Sequence, residues 1–109
     1  MRKDPPAAPP PGGSAPLDAL IHGRVRLLIL SRLMRLDAPA AFTQLRRDLA
    51  LTDGTLSVHL SRLEEGGLVA ISKEFVGRKP RTLVRLTAAG RRRFRDYVAE
   101  LRRIVPGLE

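Results

Sequence analysis

The sequence has no cysteine and no tryptophan, and only three phenylalanines, one tyrosine and two histidines. Without cysteine there is no disulfide, no thiolate metal site and no cysteine nucleophile. The two histidines, His22 and His59, lie well apart in sequence, and no metal site is expected. Aromatics are too few to dominate a core, so the core must be aliphatic. Phe42, Phe75, Phe94 and Tyr97 are assigned to core or interface, which leaves little for the base stacking that sequence-specific RNA readers use. No apolar run approaches the about 20 residues of a membrane span. No basic start, apolar run and small-residue cleavage site marks a signal peptide. A cytoplasmic, nucleoid-associated protein with no membrane partner is expected. Glycine-rich phosphate loops, metal-ligand spacings and a nucleophile beside a base are missing as well, so no enzyme and no cofactor is expected.

Acidic residues are also few. Eleven Asp and Glu stand against twenty Lys and Arg, a net charge of +9. That balance fits a polyanionic partner. Between Val76 and Arg103 there are ten basic and two acidic side chains, so nearly the whole excess sits in this stretch. Neutralising several phosphates with such a surface makes binding strongly salt-dependent. With 109 residues and 43% hydrophobic content, one compact domain is expected.

Leu51 to Leu63 reads as a helix with its own start signal. Thr52 is a good N-cap, Asp53 complements the helix dipole, and Leu51 and Leu56 have hydrophobic-staple spacing. Leu56, Leu60 and Leu63 form one apolar stripe. The other face carries Thr55, Ser57, Val58, Ser61 and Arg62. These side chains are short, with a single arginine among them, and suit the major groove of duplex DNA, which admits a helix and presents donors, acceptors and thymine methyls.

The remaining chain is organised around that segment. Residues 1–16 hold six prolines among small residues and are expected to be a disordered tail. Residues 17–105 form the domain, and 106–109 a short C-terminal end. Leu17 to about Arg35 has helical spacing, with Gly23 dividing it into a short first helix and a longer second one. Its apolar surface, including Leu20 and Ile21, serves the core and lends a face to a dimer. Pro39 marks a connection. Thr43 is expected to cap a short helix through Leu49, which exposes Gln44, Arg46 and Arg47. Two short helices joined by Ala50 and Leu51 make a helix-turn-helix. Its first helix crosses the DNA backbone, so Gln44, Arg46 and Arg47 are candidate phosphate contacts.

Gly66-Gly67 ends the recognition helix. Residues 68–75 and 81–86 alternate as strands around a tip, Val76 to Pro80, that is basic. The pair forms a wing with Arg78, Lys79 and Arg81 as DNA contacts. Thr87 caps a last helix running from Ala88 to about Val105. Its stripe of Phe94, Tyr97, Val98, Leu101, Ile104 and Val105 is assigned to a homodimer interface, since two-fold dimers read two half-sites.

Helices, recognition helix, two-stranded β wing and closing helix, in that order, resemble the winged helix-turn-helix, a mainly α (α+β) fold. The stretch Leu51 to Val69, with Gly77-Arg78-Lys79-Pro80-Arg81-Thr82 and Leu86-Thr87-Ala88-Ala89-Gly90-Arg91, resembles MarR- and ArsR-like bacterial regulators, the short MarR-like ones most closely. The resemblance implies a homodimeric transcriptional regulator of double-stranded DNA. It also implies a phosphate contact for Arg26, in His22-Gly23-Arg24-Val25-Arg26-Leu27. Full-length MarR proteins carry extra helices around a ligand pocket that this chain is too short to hold, so a small-molecule effector has no support. The competing reading is a basic nucleic-acid binder without sequence preference, either an architectural DNA protein or an RNA-binding one.

Overall fold

A computed structural model describes residues 17–108. The Pro-rich segment 1–16 and Glu109 lie outside the described residues. The elements are α1 (Arg24–Met34), β1 (Ala40–Ala41), α2 (Phe42–Asp48), α3 (Asp53–Glu65), β2 (Val69–Val76), β3 (Lys79–Leu86) and α4 (Ala88–Ile104). The fold class is the expected winged helix, with four helices and a small antiparallel sheet.

Three local expectations need correction. The segment 17–23 is not a short helix. It is a turn around Asp18, whose carbonyl accepts from Ile21 and His22 and whose side chain accepts from Leu20 N. Asp side chains bond their own following backbone in this way and compete with helix. Thr43 caps nothing, because α2 begins one residue earlier with Ala41 at its N-cap and no side-chain cap bond. The sheet has three strands in the order β1-β3-β2, not two. β1 is only Ala40 and Ala41, paired with Val84 and Leu83; so short a strand exists through its partner and has no pattern of its own.

The other start and stop signals act as their chemistry dictates. Thr52 Oγ1 accepts from Thr55 N at 3.1 Å and opens α3. Gly66 and Gly67 close it: Gly67 has φ +78°, its N–H reaches Glu64 O, and Leu68 N–H reaches Leu63 O. That pair of bonds is the Schellman motif. α2 ends with the same two bonds, from Ala50 N to Arg47 O and from Leu51 N to Arg46 O. Here the left-handed residue is Ala50, φ +54°, a conformation that costs a residue with a Cβ about 1–2 kcal/mol.

The core is the aliphatic one expected. Ile21, Ile29, Leu30, Leu45, Leu56, Leu60, Leu63, Leu68 and Val84 are fully buried. Phe94 and Tyr97 of α4 join them with ring centroids 6.4 Å apart. Each such burial contributes about 1.5–3 kcal/mol. α4 is tied to the body at its first turn. Thr87 Oγ1 accepts from Gly90 N at 2.9 Å and donates to Gly67 O at 2.6 Å, while Thr87 N donates to Leu68 O at 3.0 Å.

Gly90 makes this docking possible. A Cβ there would collide with the carbonyl oxygen of Leu68 and lie 2.8 Å from its carbonyl carbon. The obstacle is backbone and cannot rotate away. Gly90→Ala is expected to cost about 2–3 kcal/mol by overpacking, read as a lower midpoint in urea unfolding with little change in slope.

Candidate nucleic-acid interface

The helix-turn-helix is α2, the Ala50-Leu51 turn and α3. The apolar stripe of α3 is buried, and its opposite face is open: Ser57, Val58, Ser61 and Arg62 are all exposed, Val58 at 57%. Thr55 differs from these four. It is half-buried, and its hydroxyl accepts from Thr52 Oγ1 at 2.9 Å, so part of its bonding capacity is used by the cap. On α2, Gln44 and Arg47 are exposed. Arg46 is half-buried, and its Nε lies 3.0 Å from Asp53 Oδ1 without the alignment of a hydrogen bond. This pair joins the two helices across the turn.

The wing is a hairpin of two eight-residue strands with a two-residue turn, Gly77-Arg78. Gly77 has φ +65° and Arg78 does not take a positive φ, the arrangement of a type II′ turn. Arg78, Lys79 and Arg81 are exposed, as their charge requires. Register sorts the wing into two faces. Arg81 lies opposite Glu74 on the outer face. Lys73, opposite Thr82, lies on the face shared with the buried Val84 and the half-buried Ile71. Sequence reading passed over Lys73, because only the pairing register shows that it points toward α3.

Arg26 and His59 meet although 33 positions separate them. Arg26 Nε donates to His59 Nδ1 at 3.1 Å, and Nη1 donates to the Leu20 carbonyl at 3.1 Å. One guanidinium therefore ties the 17–23 turn to the recognition helix. No spacing rule in the sequence signals such a contact. His59 is half-buried and bonds a side chain. Burial first, then the charges of Arg26 and Arg62, hold its imidazole below the usual 6.5. Tyr97 Oη lies 2.6 Å from His22 Nδ1, and burial raises its phenol above the usual 10. Both histidines thus have structural partners.

The remaining charge does not form one undivided surface. Arg93 is paired with Asp18 at 2.8 Å, Arg32 with Asp48 at 2.9 Å, and Arg103 with Glu100 at 3.4 Å. Arg91 rests against the Met34 sulfur. The stripe assigned to a dimer is likewise divided. Ile21, Phe94 and Tyr97 are buried in the protomer's own core. Leu20, Val98 and Leu101 are half-buried, and Ile104 and Val105 are 47% and 40% exposed.

The lowered His59 value fixes a pH dependence. Below about 6.5 the unfolded chain binds a proton at this position that the folded chain still refuses. Stability should therefore fall as pH drops from there through the depressed folded value, and level off below it. An NMR titration of the ring should place the His59 midpoint under 6.5, and urea midpoints should fall over the same window. In His59→Gln that part of the pH dependence should vanish.

Among proteins of known sequence, the winged helix DNA-binding domain family matches residues 25–105. An uncharacterized protein of Methanocaldococcus jannaschii is 35% identical over 90 residues, which are 83% of this chain and 97% of that protein. Among solved structures, a transcriptional regulator homologue from Pyrococcus horikoshii OT3 superposes with a TM-score of 0.70 at 34% identity, over 78% of this chain and 83% of that one. A PadR-family transcriptional regulator from Eggerthella lenta DSM 2243 gives 0.61 at 32% identity, over 71% and 73%. The likeness is thus not confined to bacterial regulators, since archaeal relatives share it. The extent of this match and the observed order of helices and wing agree: the chain belongs to the winged helix DNA-binding domain family.

Proposed function

We propose that this protein is a dimeric, sequence-specific regulator of transcription, MarR-like in its reading head, that represses by occupying an operator. It acts in the cytoplasm on nucleoid DNA and needs no cofactor. The observation that carries the reading is the open face of α3. Four neighbouring positions, Ser57, Val58, Ser61 and Arg62, are exposed on a helix whose other face is fully buried. A rigid helix with short side chains can approach base edges closely. Arg62 supplies the fork that pairs with guanine, and Val58 an apolar contact for a thymine methyl. Gln44 and Arg47 flank this face as phosphate contacts, with Arg46 able to exchange Asp53 for a phosphate. Arg26 presents its remaining N–H groups beside α3, while Arg78, Lys79 and Arg81 reach the minor groove or backbone from the wing.

The dimer surface in this reading is smaller than the full stripe of α4. It comprises Val98, Leu101, Ile104 and Val105 with Leu20, the members not consumed by the protomer core. Ile104 and Val105 lie in the last turn of α4 and just past it, and both are exposed. A symmetric partner would bury them and set two recognition helices one helical turn of DNA apart.

Binding to fragments of the protein's own upstream region and to random duplex, across a salt series, tests this reading. A preferred fragment protected over two half-sites about one turn apart is the expected result; equal, steeply salt-dependent affinity for every duplex would instead favour an architectural role. Arg62→Ala is expected to weaken the preferred site more than random duplex, by about 1–3 kcal/mol. Ile104→Asp with Val105→Asp should yield folded monomers in sedimentation, because both side chains are already exposed in the protomer. A dimer that survives both changes would move the interface elsewhere.

A further inference from the structure

The inner face of the wing changes character in steps. Its register pairs run outward from the body as Val69 with Leu86, Ile71 with Val84, Lys73 with Thr82, and Phe75 with Pro80. The first two pairs pack on the core. The third is a cation beside a hydroxyl, and the fourth is apolar. Phe75 is 70% exposed, the most open of the large apolar side chains among the described residues. Its ring and Pro80 leave apolar surface open on the inner face of a projecting hairpin.

Lys73, Thr82 and Ile71 also line a trough whose other wall includes Ser57 and Ser61 of α3. The recognition helix thus stands on one side of the trough and the outer wing on the other. Any strand of DNA that separates a major groove filled by α3 from the neighbouring minor groove must pass along it. Lys73 with the three hydroxyls of Ser57, Ser61 and Thr82 supplies donors to its phosphates. Two residues further along β2, about 6.8 Å, the surface becomes Phe75 and Pro80. That step is comparable to the about 6 Å width of the minor groove, so the apolar pair falls over the groove when Lys73 holds its rim. The walls of that groove are deoxyribose, an apolar surface. Lys73 stands next to the plate on the same face and Arg78 lies at the turn beyond it, which favours the polyanion over an uncharged apolar partner.

We propose that Phe75 and Pro80 form an apolar plate that packs against the deoxyribose wall of the minor groove, with Lys73 as a phosphate contact at its rim. The wing then contributes to binding through a component that salt does not screen, besides the charges at its tip. This rests on the reading of the chain as a duplex-DNA binder and adds a residue-level contact to it.

Hydroxyl-radical cleavage reads deoxyribose exposure directly and tests the plate. The probe is a duplex selected from a random pool by the wild-type protein, with a random duplex of equal length beside it. Phe75→Ala should lose protection of the minor-groove sugars flanking the site. It should bind both duplexes about tenfold more weakly, with an unchanged slope of log affinity against log salt. Phe75→Leu, which keeps an apolar side chain on the hairpin, should retain the protection. Lys73→Ala should keep the sugar protection and lower the salt slope by about one. An unaltered footprint and affinity in Phe75→Ala would overturn the plate. So would weaker self-association of Phe75→Ala in sedimentation without DNA, which would make a second copy the occupant. If the wild type selects and binds no duplex, the functional reading fails before the plate is reached.

Discussion

The fold depends on what happens at the carbonyl of Leu68. That oxygen accepts from Thr87 N, and Gly90 allows the first turn of α4 to close against it. Leu68 itself follows the two glycines that end α3, and its own N–H completes their cap on Leu63. One residue thus joins the end of the recognition helix, the start of the wing and the beginning of α4, and its side chain is fully buried. The angle between α3 and the wing is set here. In the proposed function both elements address one duplex from neighbouring grooves, so a small rotation at this junction would misplace the tip of the wing.

Legibility followed locality. Thr52 and Thr87 were readable as caps because a hydroxyl three positions before an unpaired amide is a local arrangement. Gly66-Gly67 and the wing turn were readable for the same reason. β1 was not, since two alanines carry no period and their pairing partners lie more than forty positions away. Thr43 misled because it had the right chemistry beside a helix that began one residue earlier. The stripe of α4 was found in full, yet periodicity cannot say which apolar residues face the chain's own core. Phe94 and Tyr97 do, and Ile104 and Val105 do not. The candidate DNA residues are chosen by charge and by position on α3. Lys73 and the Arg26–His59 bond were missed because strand register and tertiary contact decide them.

Charge in this molecule has two uses. Part of it fastens elements together: Arg93 to Asp18, Arg32 to Asp48 and Arg46 to Asp53 each join segments distant or separate in the chain. These pairs are partly exposed, and such pairs contribute little stability each. They fix relative positions more than they add free energy. The rest is exposed and spread over several elements: Arg24 and Arg35 on and just after α1, Arg47 on α2, Arg62 on α3, Arg78 and Lys79 on the wing, and Arg92, Arg95 and Arg102 on α4. A net charge of +9 therefore overstates the surface open to a polyanion, because part of it is held in these pairs.

Pro80 has a consequence for how these molecules behave toward one another. The pair next to a two-residue turn exchanges both hydrogen bonds, so the following pair, Phe75 and Pro80, is a non-bonded one. A residue at position 80 would otherwise direct its N–H away from β2, to a side that β1 does not reach. Proline removes that donor from an open strand edge. A hairpin of two eight-residue strands with exposed Phe75 and Val76 is the kind of element on which another chain could lay a further strand and begin a fibril. The missing N–H leaves the β3 edge one donor short and like-charged tips repel one another, and both oppose the joining of separate wings along that edge.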